Sequence, residues 1–526
     1  MKKRLLSLIL ALCIIISFSP STLAANLPEV DVRTEGLTPA QPQEAPAEKP
    51  RDAGAERRTI YVSNEGTEED DGATAETPTT LARATELANE GKKPVEIVVL
   101  GQVSVDTWTS PTVETTLRGG DENAELLFEY CSASDGAYNI SLADALTIDE
   151  IKFNCNYTDY FFSRYYGTYT IVANGYPLVI ASGVQYSYYT ADTIVDGKTC
   201  STSSCYVIGG GLDEDITGGT HVEIYTSLPL TYVYGGGVNG SVESNVYLHI
   251  ENCGKIQHVR AGGYANKKDA KVNGNITLDF INSVTDNPIY GGGYARSSYS
   301  AEVTGSICIN LSGLNNGFGR PIYGGGYGKN APVVGNITFN ISNTKMNNNA
   351  AAIYGGGYDS DVTGDIFIHI KENSLISEET VWGGGTGDST ITGGVTITVD
   401  DSSEVIGEIR AGGNEGADVI GDVVITVSGG PQSACPTIFA TGKGEDEDNP
   451  AQVDGNVSIT LHGSRANVYT LDKFGEVTSD HTVTIILDDT DELSGAVRGD
   501  SKLDQHLYNH EKDNPTRTGN GASVIV

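Results

Sequence analysis

A glycine run recurs along the chain at nearly constant spacing, and it limits the possible folds more than any other feature. An aliphatic residue and a second large residue precede the glycines, as in Ile289-Tyr290-Gly291-Gly292-Gly293. The runs start at 209, 235, 261, 291, 324, 355, 383, 411, 440, 470 and 499, at intervals of 26 to 33 residues. Repeats of this length are typical of solenoids, in which each unit packs against its neighbours.

A second pattern follows each glycine run. Apolar residues at Ile276, Leu278 and Phe280 alternate with Thr277 and Asp279. An alternation of period two with one apolar side predicts a half-buried strand. A propeller blade needs four strands and usually about 40 residues or more. We therefore predict an all-β fold, a parallel β-solenoid whose equivalent strands stack in register.

The first ordered stretch, residues 59–105, predicts a cap and a first coil. A strand over Thr59–Ser63 precedes an acidic turn, and Thr77-Pro78 has the form of a helix start. Apolar side chains on one helical face follow, before Gly91 ends the helix; they are Leu81, Ala84, Leu87 and Ala88. An uncovered solenoid end exposes apolar side chains and an unpaired strand, so a cap is expected there.

These two stretches resemble known proteins in architecture. Residues 59–105 resemble the opening of right-handed parallel β-helix proteins of the pectate-lyase-like superfamily. The Gly-rich units of 205–500 resemble arrays in secreted and surface adhesin-like proteins of bacteria. The resemblance implies a single-stranded right-handed parallel β-helix with a short N-terminal capping helix. It transfers no ligand and no catalytic residue, because a fold does not fix function.

The remaining segments complete the predicted organisation. Three cationic residues, an apolar run and small residues predict a signal peptide at 1–25. A Pro/Glu-rich linker is expected at 26–58, irregular coils with a Tyr-rich insertion at 106–204, and a C-terminal tail at 501–526. The protein is thus expected to be secreted, extracellular or cell-surface associated, with no membrane span in the mature chain.

The net charge of −36 bears on partners. Nucleic acid binds through Lys and Arg that neutralise phosphate, so a chain this acidic is not expected to bind it. The same charge argues against a polyanionic ligand such as pectate unless divalent cations bridge the two. Glycans and host or cell-surface components remain as expected partners.

One column of side chains is the candidate ligand-binding site. The residue before each glycine run follows an apolar residue, so alternation places it on the outer side of the sheet. Flat side chains beside glycines then either stack on each other or form an exposed platform for sugar rings. The candidate residues are Tyr234, Arg260, Tyr290, Tyr323, Tyr354, Trp382 and Arg410.

Other chemistry is weakly indicated. No catalytic residue is predicted, and the histidines and acidic residues such as Asp279 are interpreted as solvated surface. Asp359-Ser360-Asp361 and residues 445–448 offer oxygens to Ca²⁺, yet the unit is about three times longer than a calcium-binding β-roll repeat, so no cofactor is predicted. Cys200 and Cys205 are a disulfide candidate, with two reduced thiols as the equal alternative.

The leading hypothesis is a non-catalytic β-solenoid that presents an extended face for adhesion or carbohydrate binding. The coils repeat without one unlike coil of the kind that an active site would need, and this regularity favours a non-catalytic role. The first alternative is a polysaccharide lyase or glycoside hydrolase with its site in 106–204, near Arg164 and an aromatic cluster that extends from Tyr157 to Tyr169. The second is a purely structural surface spacer.

Overall fold

The computed structural model describes most of the chain from residue 57 onward. The described ranges are 57–128, 138–155, 168–186, 204–226, 228 and 230–488, without 255, 315–317, 347–351, 378–379, 430–435, 447, 465, 471, 473 and 479–480. Five short strands lie outside these ranges: Arg164–Tyr165, Ile194–Val195, Lys198–Cys200, Val497–Arg498 and Ser523–Ile525. The predicted signal peptide and almost all of the linker lie outside the described residues.

Among the described residues, one strand from each coil joins a sheet of sixteen strands, here called sheet A. Its order in space follows its order in the chain. Its strands are Arg58–Thr67, Val95–Val99, Thr115–Gly119, Leu146–Asp149, Leu178–Ile180, Thr220–Ile224, Val246–Glu251, Ile276–Ile281, Ile307–Ser312, Ile337–Ser342, Ile366–Lys371, Val395–Val399, Val423–Ser428, Val457–His462, Val483–Asp488 and Ser523–Ile525.

Sheet B forms a second side of the coil, with fourteen strands in the described part of the chain. It carries the residues that precede the glycine runs. Its strands are Trp108–Thr109, Ile140–Ser141, Thr168–Val172, Ser204–Ile208, Leu230–Tyr234, Ile256–Arg260, Ile289–Tyr290, Ile322–Tyr323, Ile353–Tyr354, Thr380–Trp382, Glu408–Arg410, Thr437–Phe439, Asn467–Tyr469 and Val497–Arg498.

Sheet C, with six described strands, lies between sheet B and the next strand of sheet A along the chain. Its strands are Val333–Val334, Val362–Thr363, Thr390–Thr392, Asp418–Ile420, Ala451–Val453 and Gly475–Val477. Smaller sheets join Gln102–Val105, Glu125–Phe128, Lys152–Cys155 and Gln185–Tyr186; Arg164–Tyr165, Ile194–Val195 and Lys198–Cys200; Tyr264–Ala265 and Tyr294–Ala295; and Lys345–Met346, Leu375–Ile376 and Glu404–Val405.

The strands stack as a right-handed parallel β-solenoid, which confirms the predicted fold class. The register follows the sequence pattern, because Ile276, Leu278 and Phe280 pair with Ile307, Ile309 and Leu311 in the next coil. All six side chains are fully buried. They belong to one apolar core that runs through the coils, so each strand of sheet A contributes its alternate residues to the interior.

A single helix, Leu81–Gly91, is present among the described residues, and it packs against the N-terminal end of the same core. Leu81, Ala84, Leu87 and Ala88 are its buried residues, as predicted. The predicted helix start at Thr77-Pro78 is wrong by one turn. Thr80 is the N-cap, because its hydroxyl accepts a hydrogen bond from the amide of Arg83, and such a bond satisfies an otherwise unpaired donor.

The glycines are required by the close approach of neighbouring coils. A Cβ on Gly324 would lie 2.3 Å from the carbonyl oxygen of Gly355, and one on Gly325 would lie 2.8 Å from the backbone nitrogen of Gly357. Backbone atoms cannot move aside as a flexible side chain can. The run is therefore a place where successive coils touch backbone to backbone.

The described strands of sheets A and B within the irregular segment 106–204 belong to the same solenoid. Thr115–Gly119, Leu146–Asp149 and Leu178–Ile180 continue sheet A, although their spacing is uneven. Tyr169, the last residue of the predicted aromatic cluster, lies in the core and not in an insertion: its ring is buried and stacks on Phe128 at 4.5 Å. Most of the remaining cluster lies outside the described residues.

Candidate functional site

The predicted column exists in register on sheet B. Tyr234 pairs with Arg260 in the next coil, and the pairing continues without a shift to the end of the column. Its described side chains, up to Tyr469, lie outside the main core, as alternation predicts. The complete column is Ile208, Tyr234, Arg260, Tyr290, Tyr323, Tyr354, Trp382, Arg410, Phe439, Tyr469 and Arg498.

Of the two alternatives left open for this column, the structure does not show the exposed platform. The seven candidate side chains are only 3 to 9% exposed. Their rings stack face to face instead: Tyr290 on Tyr323 at 5.1 Å, Tyr323 on Tyr354 at 4.7 Å, and Tyr354 on Trp382 at 5.8 Å, with interplanar angles of 7 to 11°. Such offset stacks contribute about 0.5 to 1.5 kcal/mol per pair beyond area burial. The stacking interpretation is thus the one that the geometry supports.

A second row of tyrosines covers the column, and sequence reasoning missed it. Each lies four residues after a column residue, immediately behind the glycine run. Tyr294 stacks on Tyr327 at 4.3 Å, and Tyr327 on Tyr358 at 5.1 Å. Their planes stand nearly perpendicular to those of the column, as Tyr323 and Tyr358 do at 85°. The signal was visible in the recurring motif Tyr-Gly-Gly-Gly-Tyr.

The two arginines of the column have different surroundings. Arg410 donates from Nε to Glu408 at 2.8 Å and from a terminal nitrogen to Asp472 at 2.6 Å. Its guanidinium also lies over the rings of Trp382 and Phe439. Arg410 is thus a buried cation whose charge is balanced by two carboxylates of this chain.

Arg260 is buried among tyrosines, and no acidic partner lies beside it among the described residues. Its guanidinium carbon lies 3.5 Å from the ring centre of Tyr294 and 5.1 to 5.4 Å from three further rings, those of Tyr232, Tyr234 and Tyr264. One terminal nitrogen donates to the hydroxyl of Tyr234 at 3.1 Å. In the described part of the chain no carboxylate lies within ion-pair distance, and Nε has no hydrogen-bond acceptor. A buried guanidinium in this state carries an uncompensated charge.

A cavity of about 160 Å³ opens beside Arg260. Its described lining is aromatic and cationic, without a single Asp or Glu. The rim carries the exposed side chains of Lys267 and Arg296. The lining residues are Tyr206, Tyr232, Tyr234, Val238, Asn239, Arg260, Tyr264, Asn266, Lys267, Tyr294 and Arg296.

Hydrogen bonds hold the rim of the cavity in place. The side-chain oxygen of Asn239 accepts hydrogen bonds from the backbone amides of Asn266 and Lys267, at 3.0 and 2.8 Å. The Nε of Arg296 donates to the hydroxyl of Tyr294 at 3.1 Å. These contacts hold both cationic residues beside the aromatic wall.

The electrostatic effect of these cations is visible at His258, which stacks on Tyr232 at 4.4 Å. Burial, and then the charges of Arg260 and Arg296, lower the pKa of His258 to about 4. The imidazole is therefore neutral at neutral pH and does not add to the charge. Three cationic side chains thus line the cavity on a chain of net charge −36, while the carboxylate of Asp213 accepts a hydrogen bond from the lining residue Asn239 at 2.9 Å.

No protein-family model, curated protein or solved structure matches this chain. The pectate-lyase-like and adhesin-like resemblances thus rest on architecture alone.

A second polar cluster lies on the outer side of sheet A, and the sequence interpretation of its residues was wrong. Asp279 accepts from Tyr247 at 2.9 Å and from Asn310 at 2.7 Å, and it pairs with His249 at 3.3 Å. His249 also contacts Glu251 at 3.2 Å. His249 is buried rather than exposed, and none of the other described histidines is fully exposed.

Opposing effects set the pKa values in this cluster. Burial lowers the pKa of His249, but the carboxylates of Asp279 and Glu251 outweigh the effect of burial, so the pKa is raised overall. Burial raises the pKa of Asp279, and the hydrogen bonds from His249, Asn310 and Tyr247 reverse that effect. Both oxygens of Asp279 are thus engaged by side chains of this chain. That arrangement favours a structural role over acid–base catalysis.

The calcium and disulfide candidates occupy defined places. Asp359 and Asp361 each accept a hydrogen bond from a backbone amide of the next coil. In the described part of the chain, no group of three or more His, Cys, Asp or Glu side chains is placed to hold a metal ion. Cys205 is buried in the core and the side chain of Cys200 lies outside the described residues, so the disulfide stays a prediction.

The described helix is too short and too polar to cross a membrane.

Proposed function

We propose that this protein is an exported, non-catalytic β-solenoid that binds carbohydrate on its tyrosine-rich side, at the cavity beside Arg260. Export is an expectation from the N-terminal residues, and it is part of the proposal. The observation that carries the binding function is the cavity itself, in which five tyrosines and a few polar groups converge. Binding sites for small molecules commonly combine aromatic walls with a small number of placed polar groups.

The size and composition of the cavity support a sugar ring as the occupant. An engineered protein cavity of about 150 Å³ is known to hold one benzene ring, and the cavity here is about 160 Å³. Aromatic faces pack against the apolar C–H face of a pyranose, and tyrosine hydroxyls and asparagine amides offer hydrogen bonds to its hydroxyls. The buried column behind the cavity supplies a rigid support for these rings.

A glycan array tests the proposal. Wild type is compared with Tyr264→Ala, which removes a half-buried wall of the cavity, and with Tyr299→Ala, which removes a tyrosine that is 42% exposed and does not line it. We expect wild type and Tyr299→Ala to retain the same glycans. Tyr264→Ala should weaken binding by about tenfold, in line with the loss of one aromatic contact. Circular dichroism verifies that each variant is folded.

Two results would count against this function. Absence of any retained glycan for the wild type would favour a structural spacer. Release of reducing ends or unsaturated products from a polysaccharide would show catalysis, and the enzyme alternative would then replace the proposal.

A further inference from the structure

The two buried arginines of the column form a matched pair, and their difference points to a ligand. Both lie in the same register position of sheet B, and both are about equally buried, at 5% and 4% exposure. Arg410 has two carboxylate partners, whereas Arg260 has none among the described residues. A buried unpaired cation is costly, and an anion that enters from outside can relieve that cost.

A single residue explains much of the difference. Two positions before Arg410 stands Glu408, which accepts from Nε of Arg410 at 2.8 Å. Two positions before Arg260 stands His258, which is half-buried. Residues two apart on a strand lie on the same face, so His258 occupies the place of the missing carboxylate. It is the Nε of Arg260 that lacks an acceptor.

From this contrast we infer that the cavity beside Arg260 binds an acidic sugar, a single pyranose ring whose carboxylate pairs with the Arg260 guanidinium. This deepens the proposed carbohydrate-binding function and rests on it. The planar fork of arginine matches the geometry of a carboxylate. Lys267 and Arg296 on the rim add two further cations, and the tyrosine walls accommodate the ring.

The acidity of the whole chain is compatible with one acidic ring and not with a long polyanion. At physiological ionic strength charges are screened beyond about 8 Å, so a ligand confined to the cavity meets mainly the local cations. A polyuronate that extends beyond the cavity meets the acidic surface of the rest of the chain, which repels its further carboxylates. The expected ligand is thus a terminal acidic sugar.

Calorimetric titration with two matched probes tests the inference. Methyl β-glucuronide carries the carboxylate, and methyl β-glucoside is the same ring without it. Wild type should bind the glucuronide about tenfold or more tighter, as expected for a charge-assisted contact. His258→Glu places a carboxylate where Glu408 stands in the other coil, and it should abolish this preference. His258→Gln, the matched neutral variant, should keep it.

A rim variant keeps the test valid if a change at 258 disturbs folding. Arg296→Gln alters an exposed side chain and should reduce the preference for the glucuronide without loss of folded protein in a thermal melt.

The results separate the two proposals. Equal binding of both glycosides, or an unchanged preference in a folded His258→Glu variant, overturns the acidic-sugar inference while carbohydrate binding stands. Inorganic phosphate that binds as tightly as the glucuronide also overturns it, because the cavity would then be a general anion site. If the wild type binds neither glycoside and retains no array glycan, the proposed function fails as well.

Discussion

Replacement of Tyr323 by alanine removes a ring that contacts three others. The ring is 6% exposed and stacks on Tyr290 at 5.1 Å and on Tyr354 at 4.7 Å, and its edge contact with Tyr358 is 5.9 Å. Aromatic pairs contribute about 0.5 to 1.5 kcal/mol each, and truncation of a buried aromatic residue typically costs about 3 to 5 kcal/mol. We expect Tyr323→Ala to lower the free energy of unfolding by about 3 to 5 kcal/mol.

The contribution of stacking itself is measured by a double-mutant cycle. Tyr323→Leu and Tyr354→Leu remove the rings with less loss of volume than alanine. Their combined effect should fall short of the sum of the two single effects by about 0.5 to 1.5 kcal/mol, which is the coupling free energy of one stacked pair.

Trp382 provides a local reporter for this cycle. Its ring stacks on Tyr354 at 5.8 Å, and the chain contains two tryptophans. In a Trp108→Phe background, urea unfolding followed by tryptophan emission therefore reports on the stack. Tyr299→Ala, at an exposed position, is the control and should change stability by less than about 0.5 kcal/mol.

The stacking account would be refuted by either of two results. One is a Tyr323→Ala variant that costs no more than the exposed control. The other is additivity of the two leucine variants within about 0.3 kcal/mol, because rings that interact cannot be independent.

Three further predictions follow from the fold. The pKa of His249 is raised, so its contribution to stability is complete below the ordinary pKa of 6.5 and is lost as the pH rises through the pKa of the folded state. The pKa of Asp279 is lowered, so its contribution is lost as the pH falls below the ordinary pKa of 3.8. Thermal melts at several pH values should thus show the largest deficit of His249→Gln between about pH 4 and 6.5. Gly325→Ala should destabilise by about 1 to 3 kcal/mol in urea, while Gly254→Ala, where a Cβ meets nothing within 4 Å, should not. Burial raises the pKa of Cys253 to about 12, so iodoacetamide at pH 8 should label this thiol only after unfolding.

Periodicity was sufficient to predict the fold and the register. The recurring Ile-Tyr-Gly-Gly-Gly motif placed Tyr290, Tyr323 and Tyr354 in one column, and the structure pairs these residues in adjacent coils. The apolar residues of the helix were equally predictable, since their spacing specifies one face. The start of the helix was not predictable, because Thr77 and Thr80 are both plausible caps in the sequence. Only the hydrogen bond from the amide of Arg83 to Thr80 decides between them.

Burial of the column and the chemistry of the site could not be predicted in this way. Alternation tells which side of a sheet a residue occupies, but not what covers that side. The covering tyrosines reach the column only because the glycine turn brings them back over it. Likewise, one of the two carboxylate partners of Arg410 is Asp472, which is 62 residues away along the chain. Whether a carboxylate from a distant coil reaches an arginine of the column is decided by three-dimensional packing, which the repeat does not encode.

The positions of the two arginines bear on how such a chain can lengthen by duplication of coils. Between Arg260 and Arg410 the column holds a run of flat rings, one per coil, and each ring touches only the coils beside it. Duplication of an internal coil would lengthen that run without altering the surroundings of either arginine. The distance between the cavity and the far end of the stack is thus free to vary by whole coils, while the cavity keeps its composition.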